Sequence, residues 1–145
     1  LEVFPEKFKN HEYLLPIYGC YRFAIHATYR LYHGWYNSGN PTDLFPAKSD
    51  DIAKEFLKIN DETAYLEHAK NLHNNGKLQL ALHILDVVIK GSEENNYEIL
   101  LEALKLKSNI LKQMAKDESS FIASNIINNG SINIKPQIKE LKKKS

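Results

Sequence analysis

A single cysteine, Cys20, stands in 145 residues, which excludes an internal disulfide and a thiolate metal cage. An excess of charge of one sign is also missing. The formal net charge is +1, and the one biased run is the lysine cluster at Lys139–Lys144, so no concentrated basic face speaks for nucleic acid. No stretch approaches the roughly 18 apolar residues of a membrane span, and no charged and apolar leader opens the chain. The chain starts at Leu1 and reads as a piece of a longer protein. Strand-like alternation is scarce as well, limited to a short extended stretch at Ser131–Ile134. What remains, 43% apolar and 26% charged, suits one all-α domain of about six helices.

The chain is organised around Tyr18–Pro46, YGCYRFAIHATYRLYHGWYNSGNPTDLFP. Tyr18, Tyr21, Ile25, Tyr29 and Tyr32 recur at three- and four-residue steps and predict one face of a helix over about 17–33. Phenol rings bury large areas but need partners for their hydroxyls, so this face is expected to meet other protein. Arg22, His26, Arg30 and His33 follow the same helix about a quarter turn away. Gly34 is a natural stop. Asn37-Ser38-Gly39-Asn40-Pro41 is turn chemistry, with Trp35, Tyr36, Leu44 and Phe45 as the pins of the loop. Before the helix, Leu1–Pro16 reads as a lead-in docked through its aromatics.

Later segments read as helices in series. Ser49 is expected to cap a helix whose apolar face is Ile52, Ala53, Phe56 and Ile59, with Asp50 and Asp51 in its first turn. Asn60-Asp61 closes it and caps the next, which runs to Asn74 and ends before Gly76. Lys77–Lys90 is apolar on more than one side. A long helix begins around Glu93-Glu94 and runs to about Lys116, and a short last helix spans about 119–128, stopped by Asn128-Asn129-Gly130. Tyr65, Ala69 and Leu72 reappear 34 positions later as Ile99, Ala103 and Leu106, with Gly76, Ala81 and Leu85 between them. That echo suits a tetratricopeptide-like helix-pair layer, in which small residues permit close approach. One and a half units cannot stand alone, so the layer is expected to pack on the aromatic-rich first helix.

Chemistry is thinly represented. His68 and His73 are five apart and face different ways, while His26 and His33 lie about 10 Å apart along a helix. Neither pair has ligand spacing, so no metal is expected on this chain alone. Asp50-Asp51 and Glu93-Glu94 read as helix starts rather than catalytic pairs. No phosphate loop, nucleophile elbow or zinc-protease pair is present. No catalytic residue is therefore assigned. The basic stripe either pairs with acids of the fold or faces an anionic ligand in a neighbouring domain, a task suited to the arginine fork.

HEYLLPIYG, a helix, GWYNSGNPTDLFP and a helix opening DDIAKEFL together resemble the dimerisation domain of alkyl sulfatases of the metallo-β-lactamase fold. Tyr18-Gly19, Gly34-Trp35-Tyr36 and Gly39-Asn40-Pro41 carry the resemblance, which continues to Ala123-Ser124-Asn125-Ile126-Ile127. The chain departs from the pattern by one extra residue at Asn37-Ser38, and by Phe23 where bacterial members carry a histidine. The resemblance implies a dimerisation domain over residues 1–134 and a basic linker over 135–145. The linker would lead to a downstream domain resembling sterol carrier proteins. An upstream domain with a His-x-His-x-Asp-His cluster would hold two zinc ions and hydrolyse the sulfuric ester. Tyr18, Tyr21, Ile25, Tyr29 and Tyr32 are the expected homodimer face. Arg22, His26, Trp35, Tyr36 and Asn40 are the expected wall of the substrate cleft. The competing reading is a free-standing tetratricopeptide-like module that binds a partner peptide between its helices.

Overall fold

The computed structural model describes residues 5–9, 11–36, 38–92 and 96–144. Three expectations fall on residues outside these: the docking of Val3 and Phe4, the extra residue at Asn37, and the helix start at Glu93-Glu94. Among the described residues there are seven α-helices and no strand: α1 Glu6–Lys9, α2 Tyr21–His33, α3 Ser49–Ile59, α4 Glu62–Asn74, α5 Leu78–Gly91, α6 Tyr97–Asp117 and α7 Phe121–Lys144. Short 3-10 turns occupy Glu12–Leu14 and Pro41–Leu44. The expected all-α class holds.

The apolar sequence of α5 places it at the centre, packed against α3, α4 and α6. Its Leu85 and Val88 are fully buried, as are the small residues Ala69, Ala81 and Ala103 of α4, α5 and α6. The small positions of the 34-residue echo are thus fully buried between helices, as close helix packing requires. Asp61 caps α4 as expected, accepting a 2.8 Å hydrogen bond from the amide of Ala64. Gly76 takes φ +72° in the α4–α5 turn, a conformation open to glycine. Lys70 on α4 reaches Glu67 at 2.6 Å and Glu102 of α6 at 2.8 Å. The hydrogen bond to Glu102 and then that to Glu67 raise its pKa above the ordinary lysine value.

Ser49 does not cap α3. Lys48 holds the cap position without a side-chain bond, and Ser49 lies inside the first turn. Its hydroxyl is occupied by Asp50 at 3.2 Å and by the Lys90 ammonium at 3.0 Å. The inner face of α3 also differs from expectation. Ala53 is its one buried residue, because it and Leu57 crowd Gly91, where an added Cβ would meet Ala53 backbone at 2.9 Å.

The last helix is far longer than expected. Gly130 and Pro136 both lie within α7, which continues to Lys144, and residues 131–134 are helical rather than extended. Tertiary packing overrides the turn chemistry here. Ser131 is buried and shares a 2.9 Å hydrogen bond with buried Ser108 of α6. Gly130 meets Leu111, where a Cβ would stand at 3.4 Å. Ile134 and Leu141 join Leu101 and Leu104 in a second core cluster. Pro136 is exposed, so its missing amide and its ring fall on the solvent side. The segment expected as a basic linker is therefore helical as far as Lys144, with Leu141 packed into this cluster.

One expectation of layering is corrected. The extensive helix contacts are α6–α7, α3–α5, α4–α5, α5–α6 and α4–α6, and α2 takes part in none of them. The bundle closes its core without the aromatic helix.

Candidate interaction surface

α2 starts at Tyr21, four residues later than the periodicity suggests, with Cys20 at its cap position. The preceding segment is held in another way. Ile17 and Tyr18 present their carbonyls to the first amides of α7, accepting from Phe121 at 2.7 Å and Ile122 at 3.1 Å. The Ser120 hydroxyl accepts from the Ala123 amide at 3.3 Å and donates to the Tyr18 carbonyl at 3.3 Å. The opening donors of α7, which no helix can satisfy internally, are thus paired with the base of α2. The Tyr18 ring lies over Phe121, centroids 6.2 Å apart and planes 18° apart.

Beyond this anchor α2 has no buried residue. Leu31 and Tyr32 are 78% and 79% exposed. Ile25 and Tyr29 are uncovered to a lesser degree. Tyr29 stacks on His33 of its own helix at 4.2 Å and 6°. Ile25, Tyr29 and Tyr32 share a stripe of α2 as expected. Tyr18 sits outside the helix at its anchor, and Tyr21 is half-buried. Burying a large apolar side chain contributes about 1.5–3 kcal/mol, so a helix that leaves this many uncovered is built for a partner.

Arg22, His26, Arg30 and His33 line the neighbouring stripe, all exposed. α2 contains no acidic residue, and among the described residues no ion pair joins Arg22 or Arg30 to an acid of the fold. Gly34 ends the helix at φ 71°, its amide donating to the Arg30 carbonyl at 3.0 Å. Trp35 then meets half-buried Tyr36 edge-on, centroids 6.0 Å apart. Asn40 is spent on the turn: its side chain accepts from the Thr42 amide at 3.2 Å, and its own amide donates to the Ser38 hydroxyl at 3.1 Å. Of the five cleft candidates, the structure thus joins Trp35 to Tyr36 and sets Arg22 and His26 on one helical stripe. An open groove of about 330 Å³ beside Cys20 and Tyr21, lined also by Tyr13, Leu14, Pro16 and Ala24, contains none of the five.

Sequence reasoning missed the anchor residues Ser120 and Phe121 and the uncovered state of Ile52, Phe56 and Ile59. A serine just before Phe121 was a legible cap signal. The second needed the position of Gly91.

No three His, Cys, Asp or Glu side chains converge among the described residues in a way that could hold a metal ion. Among the described residues, no helix is long and apolar enough to cross a membrane. A helical bundle complete in itself, bearing a separate helix with an uncovered aromatic and aliphatic face, defines an assembly domain. The chain belongs to the alkyl sulfatase dimerisation family, which matches residues 1–136. It is similar to a linear primary-alkylsulfatase of Pseudomonas sp, 29% identical over 115 residues, 79% of this chain and 16% of that protein. The chain thus spans about a sixth of the length of that relative. No solved structure matches it.

Proposed function

We propose that this chain is the dimerisation and cleft-closing domain of a zinc-dependent alkyl-sulfatase-like hydrolase that acts as a homodimer. The observation that carries the reading is the uncovered α2, which has no buried residue and, among the described residues, no extensive contact with another helix. Its face of Ile25, Tyr29 and Tyr32, with Tyr18 and Tyr21 at the base, meets the second copy. Its basic stripe, with Trp35 and Tyr36, faces an upstream domain of the same polypeptide and walls the cleft. Arginine suits a sulfuric ester because two parallel N–H groups match two of its oxygens. Asn40 shapes the loop that carries Trp35 and Tyr36 rather than touching substrate. The two zinc ions of this reading belong to the upstream domain that the resemblance implies, and no step of hydrolysis is assigned to this chain. A sterol-carrier-like domain follows downstream. A peptide-binding adaptor would leave the uncovered helix without a role.

Arg22→Ala in the full-length enzyme tests the cleft assignment. Turnover of a medium-chain alkyl sulfate should fall while the dimer survives light scattering. Unchanged turnover would remove Arg22 from the cleft.

A further inference from the structure

α3 carries a second uncovered apolar stripe. Ile52, Phe56 and Ile59 follow one another at four- and three-residue steps and are 43%, 44% and 79% exposed. The helix packs on the bundle through Ala53 and Leu57; Ile59 looks outward, and Ile52 and Phe56 line one side of an open groove against His83, Asp86 and Val87 of α5, where they stay accessible. One residue back from each member of the stripe stand Asp51, Glu55 and Lys58, all exposed. Lys58 is held by Glu55 at 2.6 Å, and a surface ammonium so held still has donors to spare.

This arrangement is self-complementary. When two copies of such a helix lie antiparallel across a two-fold axis near Phe56, Ile52 of one faces Ile59 of the other at both ends, and Phe56 meets its own copy. The flanking row then brings Asp51 of each copy to Lys58 of the other, giving two equivalent ion pairs, while Glu55 of each copy lies near the axis beside its own Lys58, which offsets the approach of the two carboxylates. A two-fold interface requires this reciprocity: if position i meets j, j must meet i. The negative end of the row is the helix start and the positive end its finish, which also suits the helix dipole.

We infer that the outer face of α3 pairs with α3 of a second copy, and that it forms part of the same two-fold interface as α2. The inference rests on the dimerisation reading and names a further surface for it. An eleven-residue helix cannot by itself supply the roughly 800 Å² per partner of a stable interface. A contact around a second, independent axis would build a larger assembly, a closed tetramer or an open chain, instead of a dimer. α3 and α2 therefore share one axis.

Charge reversal tests this directly. Asp51→Lys sets lysine against lysine at both ends, and Lys58→Glu sets carboxylate against carboxylate. Each variant alone should weaken association about tenfold in sedimentation equilibrium, the equivalent of two surface pairs turned repulsive. An equimolar mixture restores both pairs in the mixed dimer and should recover wild-type association. In a Cys20→Ser background, Phe56→Cys should also form a disulfide-linked dimer on mild oxidation. If neither reversal weakens a dimer that wild type forms, or if mixing fails to restore it, the α3 pairing is overturned while the dimerisation reading stands. A monomeric wild type would overturn both.

Discussion

The amide of Phe121 donates a 2.7 Å hydrogen bond to the carbonyl of Ile17, joining residues 104 positions apart at the point where the aromatic helix leaves the bundle. With Ile122 on Tyr18 and Ala123 on Ser120, it closes the open end of α7. The base of α2 is thereby fixed, while its length stays free for other protein. The position of the interaction helix is thus set from the far end of the chain.

Removing the capping hydroxyl should loosen this anchor. Ser120→Ala deletes one donor–acceptor pair on each side and should cost about 1–2 kcal/mol of stability. Amide exchange at Phe121 and Ala123 should accelerate as well. Urea denaturation and hydrogen exchange measure the two effects.

Gly91→Ala is a case where two effects oppose each other. Alanine in a helix interior gains about 0.5–1 kcal/mol over glycine, and less at Gly91, the last residue of α5. Here the new methyl meets Leu57 at 2.7 Å and the Ala53 backbone at 2.9 Å, and backbone cannot step aside as a flexible side chain can. Overpacking of this kind costs about 1–3 kcal/mol. Net destabilisation is expected in a urea titration, with α3 parted from α5.

The buried pair Ser108 and Ser131 should behave non-additively. Either serine changed to alanine leaves the other hydroxyl without its partner and should cost about 1–3 kcal/mol. The double alanine variant should cost less than the sum of the two, since it removes both polar groups together. A double-mutant cycle in urea reads the difference.

The helices α4 to α6 were legible because their signals agreed: Asp61 as a cap, Gly76 as a turn, and small residues 34 positions apart that the fold buries. α7 was misread because two signals conflicted. Ala123, Ile127, Ser131, Ile134, Ile138 and Leu141 keep a helical stripe across Gly130 and Pro136, yet Asn128-Asn129-Gly130 is ordinary stop chemistry. Packing on α6 decided between them, and that contact lies between segments distant in sequence. The same limit applies to α3, whose four apolar positions look alike until Gly91 admits Ala53 and leaves Ile52, Phe56 and Ile59 uncovered. The aromatic face of α2 was readable from its period. Its separation from the bundle was not, because periodicity shows that a face needs a partner and never which one.

The central claim is that the uncovered face of α2 is covered by a second copy. Sedimentation equilibrium of wild type and of the double variant Ile25→Asp, Tyr32→Asp tests it most directly. Both side chains are exposed in the single chain, so stability should change by no more than about 0.5 kcal/mol at each site. At tens of micromolar the wild type should run at twice 16.7 kDa, and the double variant at the monomer mass with its helical circular dichroism intact. A wild-type chain that stays at 16.7 kDa under those conditions, or a double variant that dimerises equally well, would contradict the account.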